Sequence, residues 1–213
     1  GEVWEATLLY SQVDKAFPEE LIGQDARFRN AKLSYYNGDF EWAQSQFDIR
    51  KTSTSKLISN DALDLSIFIM DNLGLDSNTH AMSEYAQAEL LIFQNKLDES
   101  IEKLNILGNI YSEHGLKDDI LYLEAKLYEK KRDYLKAESL YQEIITTFPE
   151  EIRADNALYN QAQLYEHQLN DPEKAKACYE KLFMEYTDST FAIEARKRFR
   201  ELRGDFDEEQ QMQ

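Results

Sequence analysis

The sequence predicts an all-α protein, a right-handed superhelical solenoid of antiparallel helical hairpins with about eleven helices. Three observations carry this reading. Apolar residues recur at mixed spacings of three and four rather than alternating, as in Leu121, Ala125 and Tyr128, then Tyr134, Ala137, Tyr141 and Ile144. Ala88, Ala125 and Ala162 stand 37 residues apart, a fixed period of the size that stacked two-helix units require. Three prolines and seven glycines in 213 residues leave room for long helices, and 42% hydrophobic content supports a packed interior.

Residues 2–20 are expected to form a half repeat. Ala6, Leu9, Tyr10 and Val13 take the offsets of Ala137, Leu140, Tyr141 and Ile144, and YSQVDKAFPEE (10–20) parallels YQEIITTFPEE (141–151). The chain therefore opens on the second helix of a hairpin, which should leave an apolar face exposed or covered by other sequence. A first full hairpin is placed near 24–55, with Ala31 in its first helix, Gly38 at the turn, and Phe40, Ala43 and Phe47 in its second. Gly38 suits a helix end because it takes positive φ without a side-chain clash. Arg50 is a polar departure at the place of Ile144, and TSTSKLIS (52–59) is weakly helical.

An extra helix at 60–74 follows, with Leu63, Ile67 and Met70 as its apolar face and no evident partner. Asp76, Ser77 and Asn78 are cap residues for the next helix. Further hairpins are placed near 81–113, 118–151 and 155–187. In the last of these, Asp171 as cap and Pro172 at the first helical position mark a helix start. A terminal helix at 190–203 turns Phe191, Ala195, Phe199 and Leu202 inward, so that 1–204 forms one solenoid and 205–213 an acidic tail.

The formal charge is -17, from 24 basic and 41 acidic residues. That disfavours nucleic acid or anionic lipid as primary partners, since both need concentrated Lys and Arg. No apolar run reaches membrane-spanning length. Gly1 is not a translation start, which points to an excised or processed chain, so the lack of a targeting segment carries nothing about compartment. The single cysteine excludes an internal disulfide framework, and Cys178, at the place of Leu140 and Leu9, reads as a small core residue. His80, His114 and His167 stand far apart in sequence and make no local metal motif. There is no His-Glu-x-x-His, phosphate loop or Gly-x-Ser-x-Gly. Asp118 and Asp119 suit a helix N-terminus better than acid–base chemistry. No catalytic residue, metal site or cofactor is assigned.

The hairpins resemble the tetratricopeptide-repeat family. Ala125, Asp133-Tyr134, Ala137, Tyr141, Ile144 and Pro149 match its small residue, turn and second-helix pattern, as do Gly38-Asp39-Phe40, Ala43 and Phe47. The early aromatic of the first helix is replaced by Arg27, Glu84, Leu121 and Leu158, and the unit exceeds the usual length by about three residues. The resemblance implies a protein or peptide partner on a concave face lined by the first helices. Phe28, Tyr85, Tyr122 and Tyr159 share one offset there, three residues before the small position. Lys32, Glu89, Lys126 and Gln163 lie one helical turn further on. These eight are the candidate partner-binding residues; their alternating charge makes no basic carboxylate clamp. Inter-repeat packing is the competing role for the tyrosines.

A second reading makes the chain a structural segment of a longer repeat protein that binds its partner elsewhere. The phrases IRADNALYNQAQLY (152–165) and MEYTDSTFAIEARKRF (184–199) resemble bacterial envelope repeat proteins, among them outer-membrane assembly lipoproteins. That resemblance implies periplasmic or outer-membrane-associated placement and association with envelope proteins. Thr187 replaces the expected proline, no lipidated cysteine is present, and a cytoplasmic address also fits.

Overall fold

The computed structural model describes residues 2–50, 56–73, 79–112 and 115–205. All regular structure among them is helical: α1 (Val3–Ala16), α2 (Leu21–Tyr36), α3 (Phe40–Arg50), α4 (Lys56–Leu73), α5 (Thr79–Phe93), α6 (Leu97–Ile110), α7 (Lys117–Lys130), α8 (Tyr134–Thr147), α9 (Arg153–His167), α10 (Pro172–Glu185) and α11 (Ala192–Arg203). They form two compact units, Gly1–Leu116 and Lys117–Gln213. The cap at 76–78 and the tail beyond 205 lie outside the described residues, as do the side chain of Arg50 and all of His114.

One backbone device makes each hairpin. Gly38, Asn95, Arg132 and Asn170 all carry positive φ, at 87°, 61°, 63° and 53°, immediately after a first helix. The next residue in the first three cases donates its amide back across the helix end: Asp39 to Ser34, Lys96 to Leu91 and Asp133 to Tyr128, at 2.8–2.9 Å. That bond satisfies a terminal carbonyl and reverses the chain within three residues. Two of the second helices are then capped from the side chain, Asp133 accepting from the Lys136 amide at 3.3 Å and Asp171 from that of Lys174 at 3.1 Å. In the last turn, one residue longer, Asp171 donates to Tyr165 at 2.8 Å and Leu169 to Leu164 at 2.9 Å.

In the second unit each helix packs on the next, from α7 to α11, and the first helices α7 and α9 also touch. Leu121, Ala125, Ala137, Tyr141, Ile144, Ala162, Ala175, Tyr179 and Leu182 share one interior with Ala195 of α11. The small residues matter because a buried alanine on each side lets two helix backbones close on the aromatic rings beside them. The same logic holds in the first unit, where the buried Ser100 hydroxyl donates to the Ala88 carbonyl at 2.9 Å.

The first unit pairs α2 with α3 and α5 with α6, while the first helices α2 and α5 touch directly. The extra helix, α4, starts earlier than the sequence suggests and does have a partner: it packs on α3 and touches α2 and α5. Its buried face is also rotated from the expected one. Ala62, Ser66 and Ile69 are fully buried, whereas Leu63 and Met70 are 38% and 55% exposed. Ala62 and Ser66 let α4 lie close against its neighbours beside the buried Phe68 and Ile69, and hydrophobicity alone pointed to the wrong stripe.

The link from α1 to α2 is tighter than its counterpart from α8 to α9. Gly23 aligns with Ala154, and a methyl group at 23 would meet the Phe17 carbonyl oxygen at 1.9 Å.

Candidate functional site

The eight candidate residues divide between the two units. In the first, Phe28 and Tyr85 are buried. Phe28 meets Phe47 of α3 with ring centres 5.7 Å apart, and Tyr85 stacks on Phe68 of α4 at 5.0 Å. The Lys32 ammonium lies over the rings of Phe28 and Tyr36, at 5.9 and 5.7 Å from their centres. Burial raises the Tyr35 and Tyr36 phenols well above their ordinary range, and the neighbouring Glu89 carboxylate adds to it. These hydroxyls therefore stay protonated.

Phe28 and Lys32 also line a cavity of about 390 Å³ on the first-helix face of α2. Asp25, Arg29, Leu33 and Tyr36 of α2 complete that wall, opposite Tyr10 of α1, Ile58 and Asp61 of α4, and Phe93 of α5. Arg29 donates to Asp25 at 2.7 Å. Aromatic walls with a few charged groups suit one bulky side chain and a polar neighbour. Sequence reading missed this cavity, although Asp25, Phe28, Arg29, Lys32 and Tyr36 follow helical spacing. Its other walls come from helices distant in sequence.

In the second unit Tyr122 and Tyr159 are half-buried and already engaged. The Tyr122 hydroxyl accepts from Asn160 of α9 at 2.7 Å, and its ring is capped by the Arg153 guanidinium at 5.2 Å. Tyr159 stacks on Phe191 with ring centres 4.5 Å apart and 15° between planes. Both tyrosines thus join neighbouring helices while keeping one edge open. Lys126 pairs with Glu129 at 3.1 Å, and Gln163 donates to the Tyr179 hydroxyl at 2.6 Å.

Two carboxyls behind this face are strained electrostatically. Burial pushes Asp118 up to about 7, with the adjacent Asp119 charge adding to it. Burial likewise pushes Glu124 up to about 7, and its buried Oε1 has no hydrogen-bond partner among the described residues. Both lie in α7, with Asp118 and Asp119 in its first turn. An unfolded chain releases these protons near pH 4. The folded state therefore holds protons that the unfolded state has lost between about pH 4 and 7, so this contribution to stability fades as pH rises through 7. Glu124→Gln is expected to stabilise the second unit by about 1–2 kcal/mol at pH 8, after allowance for solvent screening, and by little at pH 5. Thermal unfolding at the two pH values checks this; equal effects at both would refute it.

Cys178 is half-buried, its Sγ lies 3.6 Å from Gln161 Oε1, and burial raises its thiol to about 11. It is a packing residue with no thiolate at neutral pH. Among the described residues no group of three His, Cys, Asp or Glu side chains could hold a metal ion, and no helix is long and apolar enough to cross a membrane.

The tetratricopeptide-repeat family matches at residues 119–151 and 156–189. These segments are the α7–α8 and α9–α10 hairpins, less than half of the chain, and each is similar to a repeat of that family. No curated protein matches the chain.

Proposed function

We propose that the chain takes a peptide or protein partner on the concave face lined by its first helices. In the first unit Lys32 and Glu89 make the contacts, with Phe28 and Tyr85 as the apolar floor; in the second Tyr122, Lys126, Tyr159 and Gln163 make them. The observation that carries this reading is the cavity of about 390 Å³, which brings Phe28 and Lys32 together on the first-helix face of α2. Its aromatic walls offer apolar area, and the Lys32 ammonium favours an acidic group beside the bound side chain.

The test is selection of peptides from a random library on the folded chain, followed by calorimetry of the enriched sequences. Lys32→Ala and the pair Tyr122→Ala/Tyr159→Ala are each expected to weaken binding about tenfold or more, a loss of about 1.4 kcal/mol. Peptides bound equally by the parent and both variants would place the contact elsewhere. The finer address, association with envelope proteins, is supported by the phrase at 184–199; copurification of the tagged chain with the envelope fraction is the expected result.

A further inference from the structure

The second helices of the hairpins are closed at the first and third of four repeating positions (Ala43 and Phe47, Ser100 and Leu104, Ala137 and Tyr141, Ala175 and Tyr179), and α1 is not. In α8 these positions are Ala137, Leu140, Tyr141 and Ile144, and none is more than 4% exposed. In α10, Ala175, Tyr179 and Leu182 are fully buried. The aligned residues of α1 are Ala6, Leu9, Tyr10 and Val13; Leu9 is 60% exposed and the other three are half-buried.

The internal comparison also identifies what closes that face. The side of α8 bearing Glu138 and Gln142 turns to the following helix, accepting from Tyr165 at 2.5 Å and from Gln161 at 3.2 Å. The corresponding side of α1 is filled in the same way: Asn30 donates to Ser11 at 3.3 Å, and Arg27 pairs with Asp14. The opposite side of α8 is closed by α7. There Tyr141 meets the Tyr122 ring at 6.0 Å and donates to Glu129 at 2.6 Å, while Ala125 lies in the shared interior. Between α9 and α10, Tyr179 meets Tyr159 at 6.2 Å and donates to Glu166 at 2.8 Å. Both covering helices therefore carry Tyr-x-x-Ala-x-x-x-Glu.

We infer that the open face of α1 is a docking site for an amphipathic partner helix bearing that pattern. Its alanine meets Ala6, its apolar side covers Leu9 and Val13, and its glutamate accepts from the Tyr10 hydroxyl. Tyr10 shares its cavity with Arg29 and Lys32, though Asp25 already holds Arg29 and Asp61 lies across the cavity. A second copy fits poorly. Its terminal helix, α11, aligns Ala195 with Ala157, which puts Arg200 where Ala162 stands and blocks the close approach.

The probe is a fluorescent peptide of residues 117–130, stapled between positions 126 and 130 on its solvent side and titrated with the whole chain. Saturable anisotropy is expected. Leu9→Lys in the chain and Ala125→Arg in the peptide should each weaken binding about tenfold or more. Position 9 is exposed, so Leu9→Lys should leave the far-UV circular dichroism unchanged. Absence of saturation, or binding indifferent to Leu9→Lys, overturns the assignment. So does a chain that sediments as a dimer without peptide and becomes monomeric with Leu9→Lys, because the face would then belong to a second copy. Lys32→Ala separates this site from the concave face, since it should weaken the helix much less than Leu9→Lys does.

Discussion

Tyr141→Ala is expected to cost the second unit about 3–5 kcal/mol, the range for deleting a large buried aromatic side chain. Tyr141 is fully buried, packs against Tyr122, and its hydroxyl donates to Glu129. Removing the ring opens a void between two helices held close at Ala125 and Ala137, side chains too short to fill it. Tyr141→Phe separates the two contributions. It keeps the ring and removes one donor to a carboxylate that also has Lys126, so about 1 kcal/mol is expected. Urea unfolding followed by far-UV circular dichroism measures both. Tryptophan emission serves as a separate reading of the first unit, because Trp4 and Trp42 both lie in it. A Tyr141→Ala cost no larger than that of Tyr141→Phe would mean that the ring adds nothing to the interior.

The fold was legible because its determinants are local. A small residue in the first helix, a turn after it and a small–aromatic–aliphatic series in the second recur along the chain, and each part acts within one hairpin. Gly38 could be read as a positive-φ position, but Arg132 could not, because arginine there carries a steric cost that only the surrounding turn holds in place. The α4 face was misjudged for a related reason: what buries Ser66 is proximity to other helices, and no residue type announces that. The candidate site was less legible. The offset of Phe28, Tyr85, Tyr122 and Tyr159 was plain in the sequence, yet the same offset buries Phe28 and Tyr85 and leaves Tyr122 and Tyr159 half-open. Burial at one register position depends on neighbours supplied by other helices. The open side of α1 was anticipated, because matching text from 10 to 20 and from 141 to 151 states which residues a covering helix should bury.

Arg153→Met should destabilise the second unit by about 3 kcal/mol, near the lower end of the cost of stripping a buried charge of its partner. Asp119 keeps only 6% of its side chain exposed and accepts from Arg153 Nε at 2.5 Å. Arg153 retains 23%, which places the loss toward the lower end. The pair joins the starts of α7 and α9, and the same guanidinium covers the Tyr122 ring, so its removal also unsettles the proposed binding face. Most of the cost comes from stripping a desolvated carboxylate of its guanidinium, with Asp118 beside it, rather than from losing the attraction itself. The double variant Arg153→Met/Asp119→Leu should therefore recover most of the stability that Arg153→Met loses, since an apolar pair of similar size replaces an ion pair at little net cost. If the two substitutions were instead simply additive, the arginine would be acting through its stacking on Tyr122, and Tyr122→Leu in the Arg153→Met background would then cost much less than it does in the parent.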